Sequence, residues 1–274
     1  MSLVGRSSRI VSRLLHPHAD DLQYNLTAFI GDHSTLDNYD RPKKFIDKIE
    51  ILVPCYNHAK YLPTAIESVV NQKWSEPLEI TFINDNSTDD TKQVIRYLIN
   101  LYSSNKLRMH AIENSMNLRQ DGSLNKAIEI SSNELFIVLN DDDALCPDAV
   151  KVITDTLSRH KDLAMVGGSS IWFEETLPSW KQEIKKRHLT RYSPEQAKQF
   201  KELNDINMTH SSSAFFKYAW RAVGGYRSKH DRLTTSINED RDFQMRVAAC
   251  FPVGVYKDYS LAFWRTDSSH GKGF

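Results

Sequence analysis

Cysteine is scarce in this chain of 274 residues. Cys55, Cys146 and Cys250 are odd in number, far apart and without C-x-x-C spacing, which argues against a disulfide framework or a zinc site and favours a reducing compartment. No run approaches the ~20 apolar residues of a membrane span. The basic start, MSLVGRSSRIVSRLLHPHADD, has no continuous apolar core, so neither a transmembrane helix nor a signal peptide is expected. Without a secretory signal, the N-x-T sequons at Asn25, Asn86 and Asn207 read as chance matches. Net charge is also missing: Lys plus Arg and Asp plus Glu are 35 each, leaving no global field for nucleic acid. Repeats and low-complexity segments are absent. What remains, 40% hydrophobic and 26% charged, is an ordinary globular composition with ample core material for one large or two small domains.

The stretch that organises the chain is Glu134 to Asp148, ELFIVLNDDDALCPD. Leu135 to Leu139 is too short for a span and reads as a strand buried on both faces, as in a parallel sheet. It runs into Asn140 and the adjacent carboxylates Asp141, Asp142 and Asp143, which repel one another unless a cation or hydrogen-bond donors sit among them. In an open α/β sheet the carboxyl ends of the strands are where ligands bind. A divalent ion carrying a polyphosphate accounts for both facts, since acidic oxygen donors suit magnesium or manganese. The plainer alternative is a solvated loop capping a helix from Pro147.

Residues 1–48 show no sustained period and form an N-terminal extension, helical from about Leu22 to Phe29, ending in the charged linker at Asp40 to Lys44. A regular alternation follows. Strands are expected at Ile49–Pro54, Leu78–Ile83, Leu107–Ile112, Leu135–Leu139 and Leu163–Gly167. Helices are expected from Pro63 (Ile66, Val69 and Val70 on one face), after Asp90, over Leu124–Ile130 and from Pro147 to about Arg159. Strands and helices at this spacing predict βαβ units with right-handed crossovers. Beyond Phe173 the pattern loosens. A basic run lies at residues 181–191, a short helix is expected over Pro194–Leu203, a turn at Gly224-Gly225, a helix over Glu239–Ala249 and a closing strand over Val253–Trp264.

ILVPCYNHAKYLPTAIESVVNQ followed by ITFINDNSTDDT resembles the opening of family 2 glycosyltransferases: an apolar strand, P-x-Y-N, a helix ending S-V-x-x-Q, then a strand ending D-D-G-S-x-D. NDDD is similar to that family's metal-binding DxD region, and GGY, Glu239-Asp240 and FQMR to its GG[YF]…ED…R segment. The resemblance covers about Ile49 to Arg265. It implies a GT-A (nucleotide-diphospho-sugar transferase) fold, a Rossmann-like mixed but mainly parallel sheet flanked by helices. Residues 49–265 would form the catalytic domain, with a nucleotide-sugar half at 49–145, an acceptor half at 146–265 and a tail at 266–274. Two departures stand out: Asn84 and Asn86 replace the usual Asp and Gly, and Asn140 replaces the first Asp, which leaves Asp142 or Asp143 as the metal ligand, with Asp142 favoured by register.

By the same resemblance Asp141 bonds the ribose or a metal-bound water, Asp85 reads the base edge (or caps the helix after it), and Pro54, Tyr56 and Asn57 line the nucleotide pocket. Arg119 contacts base or phosphate, or is a surface arginine. The chemistry fits. A departing diphosphate develops charge that Mn2+ or Mg2+ neutralises as a Lewis acid. The acceptor hydroxyl needs a base, for which Asp240 is the candidate, with Glu239 beside it; both also suit the first turn of a helix. One base plus a metal implies direct displacement with inversion, unlike the two-carboxylate scheme of glycosidases. His210, Ser211, Ser212 and His270 are further residues facing this chemistry, while Trp172, Trp180, Trp220 and Trp264 are either sugar-stacking or core. The expected partners are a nucleotide-sugar donor, foremost a UDP-sugar, and a glycan or lipid-linked glycan acceptor. The expected setting is cytoplasmic, with peripheral association at the inner face of the membrane; oligomeric state stays open. A non-catalytic sugar- or nucleotide-binding module is the alternative. A haloacid-dehalogenase-type phosphatase fits less well, because three βα units precede the Asp run and Ala144-Leu145 follows it. A nucleotidyltransferase would carry a glycine-rich N-terminal loop, which is absent.

Overall fold

The structure is a computed structural model that describes residues 29, 41–45, 47–179, 187–197, 199, 206, 208–233 and 237–268. The expected helix before Phe29, the basic run through residue 186, most of the Pro194–Leu203 helix, Trp180, His270 and the sequons at Asn25 and Asn207 lie outside them.

The first half is a run of βα units: β1 (Ile49–Cys55), α1 (Leu62–Val70), β2 (Leu78–Asn84), α2 (Thr91–Tyr102), β3 (Leu107–Glu113), α3 (Arg119–Ile130) and β4 (Leu135–Val138). These four strands are parallel in the order β3-β2-β1-β4. Alternate residues of each strand enter different layers. Ile51, Val53, Phe82 and Ile137 pack with Leu62, Ile66, Ile95 and Leu98 from α1 and α2. Leu52, Phe136 and Val138 pack with Leu124 and Ile128 of α3. A two-residue period with both faces covered explains why these strands read as unbroken apolar runs.

The second half comprises β5 (Ala144–Leu145), α4 (Ala149–Arg159), β6 (Met165–Phe173), β7 (Leu189–Tyr192), α5 (Pro194–Ala197), β8 (Ala214–Phe216), α6 (Lys217–Ala222), α7 (Glu239–Cys250) and β9 (Val253–Arg265). The sheet continues β4-β8-β6-β9-β5, with β7 on β9. Because β8 is antiparallel to both β4 and β6, and β9 parallel to β6, the carboxyl ends of β1, β2, β4, β6 and β9 share one edge. The ligand edge of the sheet therefore continues across both halves.

Several expected boundaries move. Val70 is 37% exposed, because the last residue of α1 overhangs the layer that buries Ile66 and Val69. The helix expected at Leu124 begins at Arg119, and that expected at Pro147 begins at Ala149. The fourth strand stops at Val138, and the fifth starts at Met165 and runs on to Phe173. The two-residue β5 gives no periodic signal and is paired only by contact with β9. No helix among the described residues is long and apolar enough to cross a membrane.

Candidate active site

The loops after β1 and β2 are laced together. Asp85 N–H donates to the Cys55 carbonyl (2.9 Å), Asn57 N–H to Ser87 Oγ (3.1 Å), Thr88 N–H to Asn57 Oδ1 (2.7 Å) and Ala59 N–H to Asp89 Oδ2 (3.0 Å). Both turns need a left-handed residue, Asn57 at φ 56 and Asn86 at φ 60. Asparagine tolerates that region better than other non-glycine residues, which accounts for Asn86 at a position where glycine is the usual solution. Burial works against ionisation of Asp89, but bonds from the Thr91 hydroxyl and the Ala59 and Thr91 N–H groups outweigh it and hold the carboxyl below its usual range. Asp89, not Asp85, accepts from the first N–H of α2.

Asp85 is buried and ties β2 to the β3–α3 loop: its Oδ1 accepts from Asn114 Nδ2 (2.9 Å) and Leu118 N–H (2.7 Å). Tyr56 is 42% exposed at the cleft, Pro54 is buried in β1 opposite Ile83, and Arg119 is exposed on the rim at φ 60.

The three carboxylates after β4 are all buried, yet their surroundings differ. Asp141 accepts from Tyr56 N–H (3.0 Å) and pairs with His58 Nδ1 (2.8 Å). Asp143 accepts from Ser211 Oγ (2.5 Å), Asn140 Nδ2 (3.3 Å) and Arg265 N–H (3.0 Å). The Asp142 carboxylate takes no hydrogen bond from the described residues; only its backbone carbonyl is held, by Arg265 Nε at 3.0 Å. Burial raises the pKa of Asp141 despite His58, and burial and the Asp142 charge push Asp143 up to about 7. Burial would lower the His58 imidazole, but the bond to Asp141 and the surrounding carboxylates leave its pKa raised. Donor atoms of His58, Asp141 and Asp142 lie within 4.8 Å of one another. Excess negative charge with one carboxylate open is a donor set that fits Mg2+ or Mn2+.

Facing this group, the loop before β8 carries His210, Ser211 and Ser212. Gln120 Nε2 donates to Asn140 Oδ1 (2.8 Å) and approaches His210 Nδ1 (3.2 Å), which leaves His210 Nε2 as the donor to the Tyr226 hydroxyl (3.2 Å). Tyr226 is fixed by Asn125, whose side chain bonds both its N–H and its carbonyl. Gly225, at φ 71, is needed there because a Cβ would meet Asn125 Oδ1 at 2.6 Å. Arg246, fully buried, pairs with Asp242 and donates to the carbonyls of Val223 and Gly225, so the GGY turn and α7 are one unit. Glu239 and Asp240 lie in the first turn of α7. Glu239 pairs with Arg232 (3.0 Å), while Asp240 is half-exposed and, among the described residues, its carboxylate bonds through Oδ1 to Arg241 N–H alone (2.7 Å).

The expected donor-side residues thus meet at one edge, and the structure adds His58, Gln120, Tyr226 and Arg265. Tyr226 is the aromatic of the GGY segment, but no spacing signal marks the other three: the His58–Asp141 pair is separated by 83 positions and the Arg265–Asp143 contact by 122.

The fold is shared with solved nucleotide-sugar glycosyltransferases of the GT-A class. Staphylococcus aureus TarS (residues 1–349) in complex with UDP-GlcNAc superposes with a TM-score of 0.61 at 15% identity, covering 83% of this chain and 61% of that one. A Pyrobaculum calidifontis mannosyltransferase in complex with GDP-Man and Mn2+ gives 0.59 at 14% identity, covering 90% and 70%. Residues 50–223 match glycosyl transferase family 2, and the chain belongs to that family of enzymes. A Campylobacter jejuni β-1,3-glucosyltransferase acting on GalNAc(5)-diNAcBac-PP-undecaprenol is 31% identical over 106 residues, 39% of this chain and 33% of that protein. Such matches span 37%, 33% and 26% of the lengths of the first three curated relatives. The phosphatase alternative falls with the family assignment.

Proposed function

We propose that this chain transfers a sugar from a nucleoside-diphosphate donor, foremost a UDP-sugar, to a hydroxyl of a glycan or lipid-linked glycan, with inversion. One observation carries the proposal: of three buried adjacent carboxylates, Asp141 and Asp143 are each held by protein donors, whereas the Asp142 carboxylate takes none from the described residues. Asp142 is then the metal-binding carboxylate, with His58 and Asp141 beside it, and Asp143 is a positioning group. A bound Mn2+ or Mg2+ would supply charge neutralisation at the departing diphosphate. Tyr56 offers its exposed ring to the base, Asp85 fixes the pocket wall from β2, and Arg119 reaches the donor from the rim. Asp240, whose second oxygen takes no bond from the described residues, accepts the proton of the attacking hydroxyl, and Arg232 holds Glu239 alongside. A diphosphate leaves as a weak base and needs no proton, so one base suffices and the anomeric centre inverts. An acceptor on a lipid carrier would place the protein at the inner membrane face.

The test is a thermal-shift panel of UDP, GDP and dTDP, each with and without manganese. At ~100 times its dissociation constant a ligand of the folded state adds about 2.7 kcal/mol. A metal-dependent shift with one nucleotide, lost in Asp142→Ala, is the expected result. No shift with any nucleotide overturns the proposal in favour of a non-catalytic module.

A further inference from the structure

Two tryptophans at the ligand edge have no part in the chemistry above. Trp172 and Trp264 are paired across β6 and β9, their ring centroids 5.4 Å apart at 79°. They are 70% and 39% exposed, whereas large aromatic rings are normally mostly buried. On both strands the flanking residues, Phe173 and Phe263, belong to the layer beneath α1 and α4. Strand alternation therefore turns the two indoles to the opposite side of the sheet, where Phe243 and Val247 of α7 also pack. That helix bears Glu239 and Asp240 at its start. The position is rigid, because the next residue on β9, Arg265, donates from its N–H to Asp143 and from Nε to the Asp142 carbonyl, with its guanidinium 4.7 Å from the Tyr61 ring and 4.4 Å from that of Phe173.

We propose, resting on the transferase reading above, that Trp172 and Trp264 form a corner that stacks an uncharged sugar ring of the acceptor, beyond the ring that is glycosylated. Two nearly perpendicular indoles present one flat face and one edge. The axial C–H groups of a pyranose are polarised positively and lie against the electron-rich indole face, while little side-chain entropy is lost because tryptophan has two rotatable bonds. Two exposed carboxylates, Glu174 and Glu175, follow Trp172 closely, and Arg265 beside Trp264 is engaged with Asp143, the Asp142 carbonyl and Asp267, which disfavours sulfated, phosphorylated or uronic-acid chains and selects neutral ones.

The test is an intrinsic-fluorescence titration of the full chain, without nucleotide, using chitotetraose, cellotetraose, maltotetraose and, as the anionic probe, chondroitin tetrasaccharide. Wild type, W172A, W264A and W172F are compared, with unchanged unfolding midpoints as the control for folding and the nucleotide thermal shift run in parallel. At least one neutral tetrasaccharide should bind the wild type, with the dissociation constant rising about tenfold in each alanine variant, a factor worth ~1.4 kcal/mol, and W172F recovering most of the loss. Chondroitin tetrasaccharide should bind more weakly than the best neutral chain. Failure of every neutral chain to bind, equal binding in the alanine variants, or tighter binding of the anionic chain would each overturn the inference while leaving a nucleotide shift untouched. Binding at the tryptophans with no nucleotide shift would instead keep the corner and sink the transferase reading.

Discussion

Between β1 and β4 each strand lies beside another of the same direction, and the polar bonds that shape the loops join residues about 30 positions apart: Asn57 with Ser87 and Thr88, Ala59 with Asp89, Asp85 with Asn114. From β5 onward the bonds that shape the site are long. Ser211 reaches back 68 positions to Asp143, His210 contacts Gln120 across 90, and Arg265 grips Asp143 across 122. The proposed donor side is assembled mainly from neighbouring units, with Asp141 reaching back 83 and 85 positions to His58 and Tyr56, and the later elements are fastened to it through buried polar contacts. The comparison teaches that the two sides fail differently: donor-side surface changes should be mild, whereas acceptor-side polar changes should reach the core.

The strongest way to sharpen this division is chemical. Asp240→Asn should lower kcat by about 10²–10⁴-fold while the metal-dependent nucleotide shift stays as in wild type; a matching loss of nucleotide binding would show that the sides are not separable. Next comes stability. Arg246→Met leaves Asp242 charged, buried and unpaired, at a cost of about 3–5 kcal/mol in urea unfolding. Combining it with Asp242→Leu should restore only part of that, because Asp242 also accepts from the Leu233 N–H and Arg246 also donates to the Val223 and Gly225 carbonyls. Arg108→Ala, at the exposed donor-side pair with Glu79, should leave the midpoint where it is.

A smaller effect of opposite sign is expected at Ser212, whose φ is 81 and whose buried hydroxyl has no partner among the described residues. Ser212→Gly relieves both and should stabilise by about 1–2 kcal/mol. The smallest effect is pH-dependent. Burial lowers the pKa of His210 despite the Asp240 and Glu239 charges, so as pH falls below about 6.5 the unfolded chain takes up a proton that the folded chain refuses. This contribution to stability falls with acidification, opposite in sign to those of His58 and Asp143, whose raised pKa values favour the folded state at lower pH. His210→Asn should therefore gain stability relative to wild type as the pH drops in denaturation at pH 7.5, 6.5 and 5.5.

The same division explains how much was legible beforehand. The parallel units announce themselves because each strand is an apolar run bounded by a turn cluster, as in Leu78–Asn84 followed by Ser87 to Asp90. The family resemblance singles out Asp85, Asp141, Asp142, Asp143, Glu239 and Asp240. What one-dimensional pattern cannot hold is which carboxylate is left open. That depends on Ser211, Asn140 and the Arg265 N–H meeting Asp143, and on His58 meeting Asp141. β5 escapes for the same reason: Ala144–Leu145 is a strand only because β9 lies beside it.

The grip of Arg265 on the acidic loop also orders events in time. A ribosome releases the Asp141–Asp143 loop long before it releases β9, and until β9 docks, Asp143 lacks one of its donors and the Asp142 carbonyl lacks its anchor. Contacts this distant in sequence form late. Completion of the acidic loop therefore waits on the last strand to dock.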